Sequence, residues 1–142
     1  ELGIEFIDKD NLFAQSDFVT LHVPLSGDTR HMIGEGELSK MKQAAYLINT
    51  ARGGIVDERA LVGALKLGKI AGAALDVHEN EPEMNPELIL MENVILTPHI
   101  ASATVEVREK MTELAVDSIS RSLKGEKSEN LVNPEIWENR RL

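Results

Sequence analysis

The sequence predicts an α/β fold built on a doubly wound parallel sheet, and two observations support this prediction. Short, nearly continuous apolar runs alternate with stretches of helical length, which is the pattern of parallel strands covered by helices on both faces. The 142 residues, of which 42% are hydrophobic and 27% charged, have the balance of a globular domain with its own core. No apolar run approaches the roughly 20 residues that span a bilayer.

Five runs are predicted as strands. They are short and rich in apolar side chains, and they show little of the alternation that marks half-exposed antiparallel strands. Their character suits strands buried within a parallel sheet. The predicted strands are Ile4–Ile7, Phe18–Val23, Ala45–Asn49, Ala71–Val77 and Val94–Thr97.

Helices are predicted between and after these strands, over Asn11–Gln15, Gly36–Met41, Asp57–Leu67 and Thr104–Leu123. The third is the clearest, because Asp57 can cap its first turn and the residue after its end is Gly68. Apolar residues recur at helical spacing in both of the longer helices. Gly125 is expected to end the last one.

Charge and composition exclude several classes of partner. Acidic residues outnumber basic ones by 24 to 15, and the net charge of -9 repels nucleic acid and anionic membranes, so neither is expected as a partner. An anionic ligand must therefore be captured locally, by an arginine or by backbone amides. The absence of cysteine excludes disulfides and thiolate chemistry, and we expect a reducing, cytoplasmic location. No metal-ligand spacing such as H-E-x-x-H is present, so no metal site is expected.

Groups that can carry chemistry follow the predicted strands. Arg52 follows the third, Asp76 ends the fourth and leads to Glu81, and His99 follows the fifth. In an open parallel sheet, ligands bind outside the carboxyl ends of the strands, where the strand order reverses. We therefore expect these sequence-distant groups to meet at one edge.

Arg52 has a functional and a structural interpretation. An exposed arginine at a helix start is the commonest fate of this residue, yet a cation there opposes the helix dipole. Gly53 and Gly54 allow the backbone to approach a ligand closely. A planar guanidinium also matches a carboxylate with two parallel hydrogen bonds. These features favour Arg52 as a carboxylate-binding residue.

His99 and Glu81 indicate a function only when they are considered as a pair. Alone, His99 is equally well explained as a structural histidine bonded to the backbone, and Glu81 as a solvated acid. A carboxylate bonded to an imidazole fixes the tautomer and leaves the ring able to exchange a proton near neutral pH. The other histidines lack such a setting and are expected to be structural or surface residues: His22, His31 and His78.

Four ordered motifs carry a resemblance to a known family. They are LINTARGGIVD at residues 47–57, IAGAALDV at residues 70–77, Glu81-Pro82, and TPHIASA at residues 97–103. Together with the upstream DFVTLHVPL at residues 17–25, they closely resemble the D-isomer-specific 2-hydroxyacid dehydrogenases over nearly the whole chain. Residues 125–126 and 131–134 are most similar to the glyoxylate/hydroxypyruvate reductase branch, although phosphoglycerate dehydrogenases share the core motifs.

The resemblance implies a Rossmann-like nucleotide-binding domain and an oxidoreductase that uses NAD or NADP. Residues 1–123 would be the C-terminal part of that domain, and residues 124–142 a tail that returns to a substrate domain absent from this sequence. The reaction would be hydride transfer between the cofactor and a small 2-oxo acid such as glyoxylate or hydroxypyruvate, in a homodimer. The implied catalytic residues are Arg52, which holds the substrate, Glu81, and the acid/base His99.

The resemblance also implies the cofactor contacts. Asp76, at a strand end, would face the nicotinamide carboxamide. The full set of implied contacts is Val23, Pro24, Thr50, Ala51, Arg52, Asp76, His99, Ala101 and Ser102.

Two departures from the family pattern leave alternatives open. Gly34-Glu35-Gly36 lacks the third glycine of G-x-G-x-x-G, so the phosphate-binding turn is expected upstream and the chain is expected to be a fragment or processed product. His78 stands where the family usually has an aromatic residue.

The main alternative is a non-enzymatic, NAD-regulated corepressor-like protein on the same fold, and an inactive structural fragment is another. A formate dehydrogenase of the same fold is a further alternative. That branch of the family has a glutamine beside its histidine, so Glu81 argues against it.

Overall fold

Four parallel strands form one sheet in the structure, a computed structural model that describes residues 3–139. They are β1 (Phe18–Leu21), β2 (Tyr46–Asn49), β3 (Gly72–Leu75) and β4 (Val94–Leu96), and each pairs with the next in chain order. Phe18 lies level with Tyr46, and Tyr46 with Gly72. Four of the five predicted strands are thus confirmed, each shortened by one to three residues.

The prediction of a strand over Ile4–Ile7, the first of the five along the chain, is wrong. This segment has no regular secondary structure, and Phe6 is 97% exposed. Among the described residues β1 pairs only with β2, so the segment has no neighbour to complete a ladder of hydrogen bonds. An apolar run without a pairing partner does not form a strand, whatever its composition.

Helices connect and follow the strands: α1 (Lys9–Gln15), α2 (Glu35–Leu38), α3 (Glu58–Lys66), α4 (Pro86–Ile89) and α5 (Val105–Leu123), with 3₁₀ turns at Gly53–Ile55 and Pro134–Asn139. The predicted cap of α3 is confirmed, because the Asp57 side chain accepts the Ala60 N–H at 3.0 Å. Gly68 takes the left-handed conformation after α3, with φ of 62°. The short α4 was not predicted, although Asn85 caps it and Pro86 occupies its first turn.

The core lies on one face of the sheet. Because crossover connections are almost always right-handed, strands paired in chain order place their connecting helices on the same face. Leu47 of β2, Ile55 of the first 3₁₀ turn and Leu61 of α3 are fully buried there, and α2 packs on α3. The opposite face exposes Phe18, Tyr46 and other apolar side chains. The sequence predicted helices on both faces of the sheet, but within residues 3–101 helices cover only one face. The described strands also contain no reversal of order.

The chain divides into two compact units at residue 101, and the second unit contains α5. Thr104 caps this helix through the Val107 N–H, and Gly125 follows its end with φ of 77°. No residue of α5 is buried. Ser128 donates a hydrogen bond to Ser118 and so ties the following segment to the helix. Of the helices between residues 3 and 139, none is long and apolar enough to cross a membrane.

Candidate active site

The Glu81 carboxylate and the His99 ring are in direct contact, as the sequence predicts. The Nδ1 atom of His99 lies 2.8 Å from Oε2 of Glu81, while Oε1 accepts the backbone N–H of His78 at 2.9 Å. The hydrogen bond from His99, together with that from His78, lowers the pKa of Glu81 against a smaller opposing effect of burial. Glu81 is therefore an anion at neutral pH. Because a carboxylate only accepts hydrogen bonds, Nδ1 carries the proton and Nε2 is free to exchange one.

A strained loop carries His99. This residue has φ of 54°, in the left-handed region that histidine adopts only occasionally. The buried Asp76 holds the loop in place from the end of β3. Its Oδ1 accepts from Thr97 Oγ1 at 2.5 Å and from the Ile100 N–H at 2.9 Å, and its Oδ2 accepts from the Ala101 N–H at 2.9 Å.

These contacts determine the charge of Asp76. Burial raises the pKa of its carboxyl group, but the three hydrogen bonds and the nearby His99 outweigh burial and lower it overall. Both carboxylate oxygens are occupied by the His99 loop. The contact of Asp76 with a nicotinamide carboxamide stays a prediction, and the structure adds a role in shaping the loop that the sequence did not reveal.

We expect Asp76→Asn to destabilise the chain by about 1–3 kcal/mol, because an amide offers one acceptor and turns a donor toward a backbone N–H. A carboxyl with a lowered pKa contributes stability above its unfolded pKa of about 3.9 and loses it as the pH falls through the folded value. The difference in melting temperature between wild type and variant should therefore be constant above about pH 5 and narrow below about pH 4. Asp28→Asn, in an exposed loop, is the control. A difference that stays constant down to pH 3 would contradict this account.

Arg52 lies at the carboxyl end of β2, in a turn fixed by the buried Asn49. The Asn49 side chain donates to the Arg52 carbonyl at 3.0 Å and accepts from the Ala51 N–H at 3.1 Å. The Arg52 guanidinium is exposed, and its Nη1 donates to the Ala51 carbonyl at 2.6 Å. Asn49 is a residue that sequence reasoning missed, since it reads as the last residue of an apolar strand.

A cavity of about 670 Å³ opens at the carboxyl ends of β1 and β2. Five residues predicted to contact the cofactor line it side by side: Val23, Pro24, Thr50, Ala51 and Arg52. A second cavity, of about 230 Å³, is lined by Glu81, His99 and their neighbours. Within residues 3–139, no hydrogen bond or ion pair joins Arg52 to Glu81 or His99. Ser102 belongs to the second unit, and its cofactor contact stays a prediction.

His78 contributes to the site from a buried position. Its backbone N–H orients Glu81, and its Nε2 lies 2.9 Å from the Thr97 carbonyl oxygen, which ties the loop of Glu81 to the loop of His99. The structural role expected of His78 is present, and its adjacency to the apolar run Ala71–Val77 was the signal for burial. The part of the chain that the structure describes contains no cluster of three or more acidic or histidine side chains that could hold a metal.

The sequence is similar to those of known dehydrogenases and reductases over nearly its whole length. A family model described as the D-isomer specific 2-hydroxyacid dehydrogenase, NAD binding domain, matches residues 1–101. Glyoxylate reductase of Thermococcus litoralis is 54% identical over 136 residues, which cover 96% of this chain and 41% of that protein. Glyoxylate reductase of Thermofilum pendens is 55% identical over 141 residues, covering 99% and 42%. The chain thus spans about two fifths of the length of these curated relatives.

Solved structures share the fold. The TT0316 protein of Thermus thermophilus superposes with a TM-score of 0.89 at 40% identity, over 92% of this chain and 42% of that one. A D-lactate dehydrogenase with NAD+ from Lactobacillus jensenii superposes with a TM-score of 0.83 at 33% identity, over 89% and 42%. The four parallel strands and flanking helices are therefore a Rossmann-like α/β arrangement.

Proposed function

This chain belongs to the D-isomer-specific 2-hydroxyacid dehydrogenase family, and from that premise we propose that it is the catalytic, nucleotide-binding part of an oxidoreductase. The proposed reaction is the reduction of a small 2-oxo acid, such as glyoxylate or hydroxypyruvate, with NADH or NADPH, and its reverse. The observation that carries the proposal is the 2.8 Å contact between Glu81 and His99. The glyoxylate reductases named above support the substrate class.

The cavity beside Arg52 would hold part of a dinucleotide cofactor. Its volume lies in the range of about 300–1,000 Å³ that ligand sites occupy. Val23 and Pro24 provide an apolar wall, whereas Thr50 offers a hydroxyl group at the end of β2. When bound, the nicotinamide supplies the hydride to the substrate C2 atom or receives it. Val23, Pro24, Thr50, Ala51 and Arg52 would hold the cofactor here.

Each proposed catalytic residue has a separate task. Arg52 would hold the substrate carboxylate with its planar pair of donors. His99, protonated on both nitrogens, would give the Nε2 proton to the oxygen that becomes a hydroxyl. Glu81, anionic at neutral pH, stabilises the imidazolium and orients the ring through Nδ1. Its second hydrogen bond, from the His78 N–H, holds the carboxylate in place.

Turnover by the complete protein that carries this chain tests the proposal. Loss of NADH or NADPH absorbance with glyoxylate or hydroxypyruvate is the expected result, and a titration in the same buffer measures nucleotide binding. A protein that binds the nucleotide and turns over no 2-oxo acid would instead be a corepressor-like binding protein. Failure of the 142-residue chain itself to bind the nucleotide would point to an inactive structural fragment.

Replacing Glu81 with glutamine should change the pH dependence of the reaction. Glu81 contacts the His99 ring at 2.8 Å, and glutamine keeps the shape of this side chain but removes its negative charge. Reduction needs a protonated ring, so the alkaline limb of its kcat profile should move to lower pH. Oxidation needs a neutral ring and should gain activity over the same interval. Turnover should change more than substrate affinity.

Glu83→Gln is the matched control for this change, because Glu83 is an exposed carboxylate in the same acidic loop. Its pH profile should follow that of the wild type. If the Glu81→Gln profile also followed the wild type in both directions, Glu81 would be one more solvated acid.

We also propose a homodimer in a cytoplasmic location, on the strength of the family resemblance and the cysteine-free composition. Light scattering of the complete protein at micromolar concentration should give twice the chain mass. A monomer at that concentration would contradict the dimer.

A further inference from the structure

A group of polar residues behind the catalytic pair joins three segments of the chain. Glu79 lies at its centre, between the segment that ends at Glu81 and the amino end of α3. Its backbone N–H donates to Oε1 of Glu58 at 2.9 Å, and its Oε1 lies 2.6 Å from Nε2 of His31. His31 in turn donates its backbone N–H to the Gly54 carbonyl at 2.9 Å, in the turn that follows Arg52.

The same place contains the closest backbone approach in the Arg52 turn. A Cβ atom on Gly53 would lie 1.9 Å from the carbonyl oxygen of His78 and 2.5 Å from the nitrogen of Glu79. The peptide between His78 and Glu79 therefore rests directly on Gly53, which only glycine permits. The Glu58 carboxylate accepts the N–H of that peptide. The peptide is therefore fixed both by the close contact with Gly53 and by this hydrogen bond.

This peptide is one step from the catalytic pair. The N–H of His78 donates to Oε1 of Glu81, whose other oxygen contacts the His99 ring. The His78 N–H belongs to the preceding peptide, so a shift of the His78–Glu79 peptide would move this N–H through the shared Cα atom and turn the Glu81 carboxylate away from His99. The path from Glu58 to the ring passes through the backbone of His78 and three hydrogen bonds, each of 2.8–2.9 Å.

Glu58 is buried, although a buried carboxylate is costly unless it is hydrogen-bonded. An acidic residue in the first turn of α3 would serve the helix dipole equally well with its carboxylate in solvent. Its side chain instead reaches another segment, 21 residues along the chain, to accept one backbone N–H. The burial is explained by that contact rather than by helix capping, which Asp57 already provides.

We propose that Glu58 is a positioning residue for the dehydrogenase reaction: through the Glu79 N–H it holds the His78–Glu79 peptide on Gly53 and so keeps Glu81 aimed at Nδ1 of His99. The inference rests on the proposed function for its catalytic meaning. The geometric part, the control of the His99 ring by Glu58, is independent of any substrate.

Two conservative variants separate hydrogen bonding from charge. Glu58→Asp keeps the charge at the start of α3 but is one methylene too short to reach the Glu79 N–H. Glu58→Gln loses the charge and keeps both the reach and an acceptor oxygen. Both suit the first turn of a helix, which favours folding of each variant, and Glu83→Gln is the control for loss of an acidic side chain nearby.

The readout is the tautomer of the neutral His99 ring in the 142-residue chain, measured from long-range ¹⁵N–¹H correlations. We expect the Nδ1–H tautomer to dominate in wild type, Glu58→Gln and Glu83→Gln, and the Nε2–H tautomer to rise in Glu58→Asp. In the complete protein, Glu58→Asp should lower kcat about tenfold, the effect of one hydrogen bond, with KM changed less. An unchanged tautomer distribution in Glu58→Asp overturns the inference, and so does a shift in Glu58→Gln as large as that in Glu58→Asp. If no 2-oxo acid is reduced by any form, the proposed function fails while the tautomer result stands by itself.

Discussion

Substitution of His99 by asparagine should lower kcat for 2-oxo acid reduction by roughly 10²–10⁴-fold, the usual contribution of a positioned general acid. Asparagine is the informative choice because His99 has φ of 54°, and asparagine tolerates the left-handed region better than most residues. The backbone of the loop held by Asp76 should therefore persist. The loss would then report the missing imidazole rather than a displaced loop.

Two measurements make this result specific. The melting temperature of the His99→Asn chain should stay near that of the wild type, and added imidazole should restore part of the turnover. A variant that keeps more than about a tenth of the wild-type kcat would mean that another group, or water, delivers the proton.

Substitution of Arg52 by lysine should lower kcat/KM by about 10- to 100-fold, mainly through a higher KM. A charge-assisted hydrogen bond is worth about 1.5–3 kcal/mol, and an ammonium cannot reproduce the planar pair of donors that a carboxylate accepts. Among the described residues, the exposed Arg52 side chain is bonded only to the neighbouring carbonyl of Ala51, so the change should cost little stability.

Arg59→Lys provides the matched control, because Arg59 is an exposed arginine on α3. Steady-state kinetics with glyoxylate should leave this variant near wild type. If Arg52→Lys kept kcat/KM within a factor of about two, Arg52 would not be the carboxylate anchor.

Sequence patterns predicted those parts of the fold that depend on local properties. The four strands of the sheet are nearly continuous apolar runs, and the ends of α3 carry a capping aspartate and a left-handed glycine. The failure at Ile4–Ile7 has a different origin. A strand also needs a partner, and no property of those four residues reveals whether one is present.

Some residues of the candidate site could likewise be predicted from the sequence, and others could not. Arg52, Glu81 and His99 could be predicted because they follow strands and match family motifs, and the Glu81–His99 contact is present. Their catalytic roles stay predictions. The supporting contacts could not be predicted. The bond between Glu58 and Glu79 links residues on different elements, and the direction of the Asp76 side chain depends on the path of the loop that it holds.

The order of the strands has a consequence for how the first unit folds. Each strand pairs with the next one along the chain, over separations of roughly 20 to 30 residues, so no pairing waits for a distant segment to arrive. Each pairing therefore closes a loop of that length only, which costs less conformational entropy than the pairing of strands that are distant in the chain. The sheet can grow one strand and one connecting helix at a time, from either edge. The proposed catalytic residues Arg52, Glu81 and His99 follow β2, β3 and β4, so they reach the same edge of the sheet only once these three strands have paired.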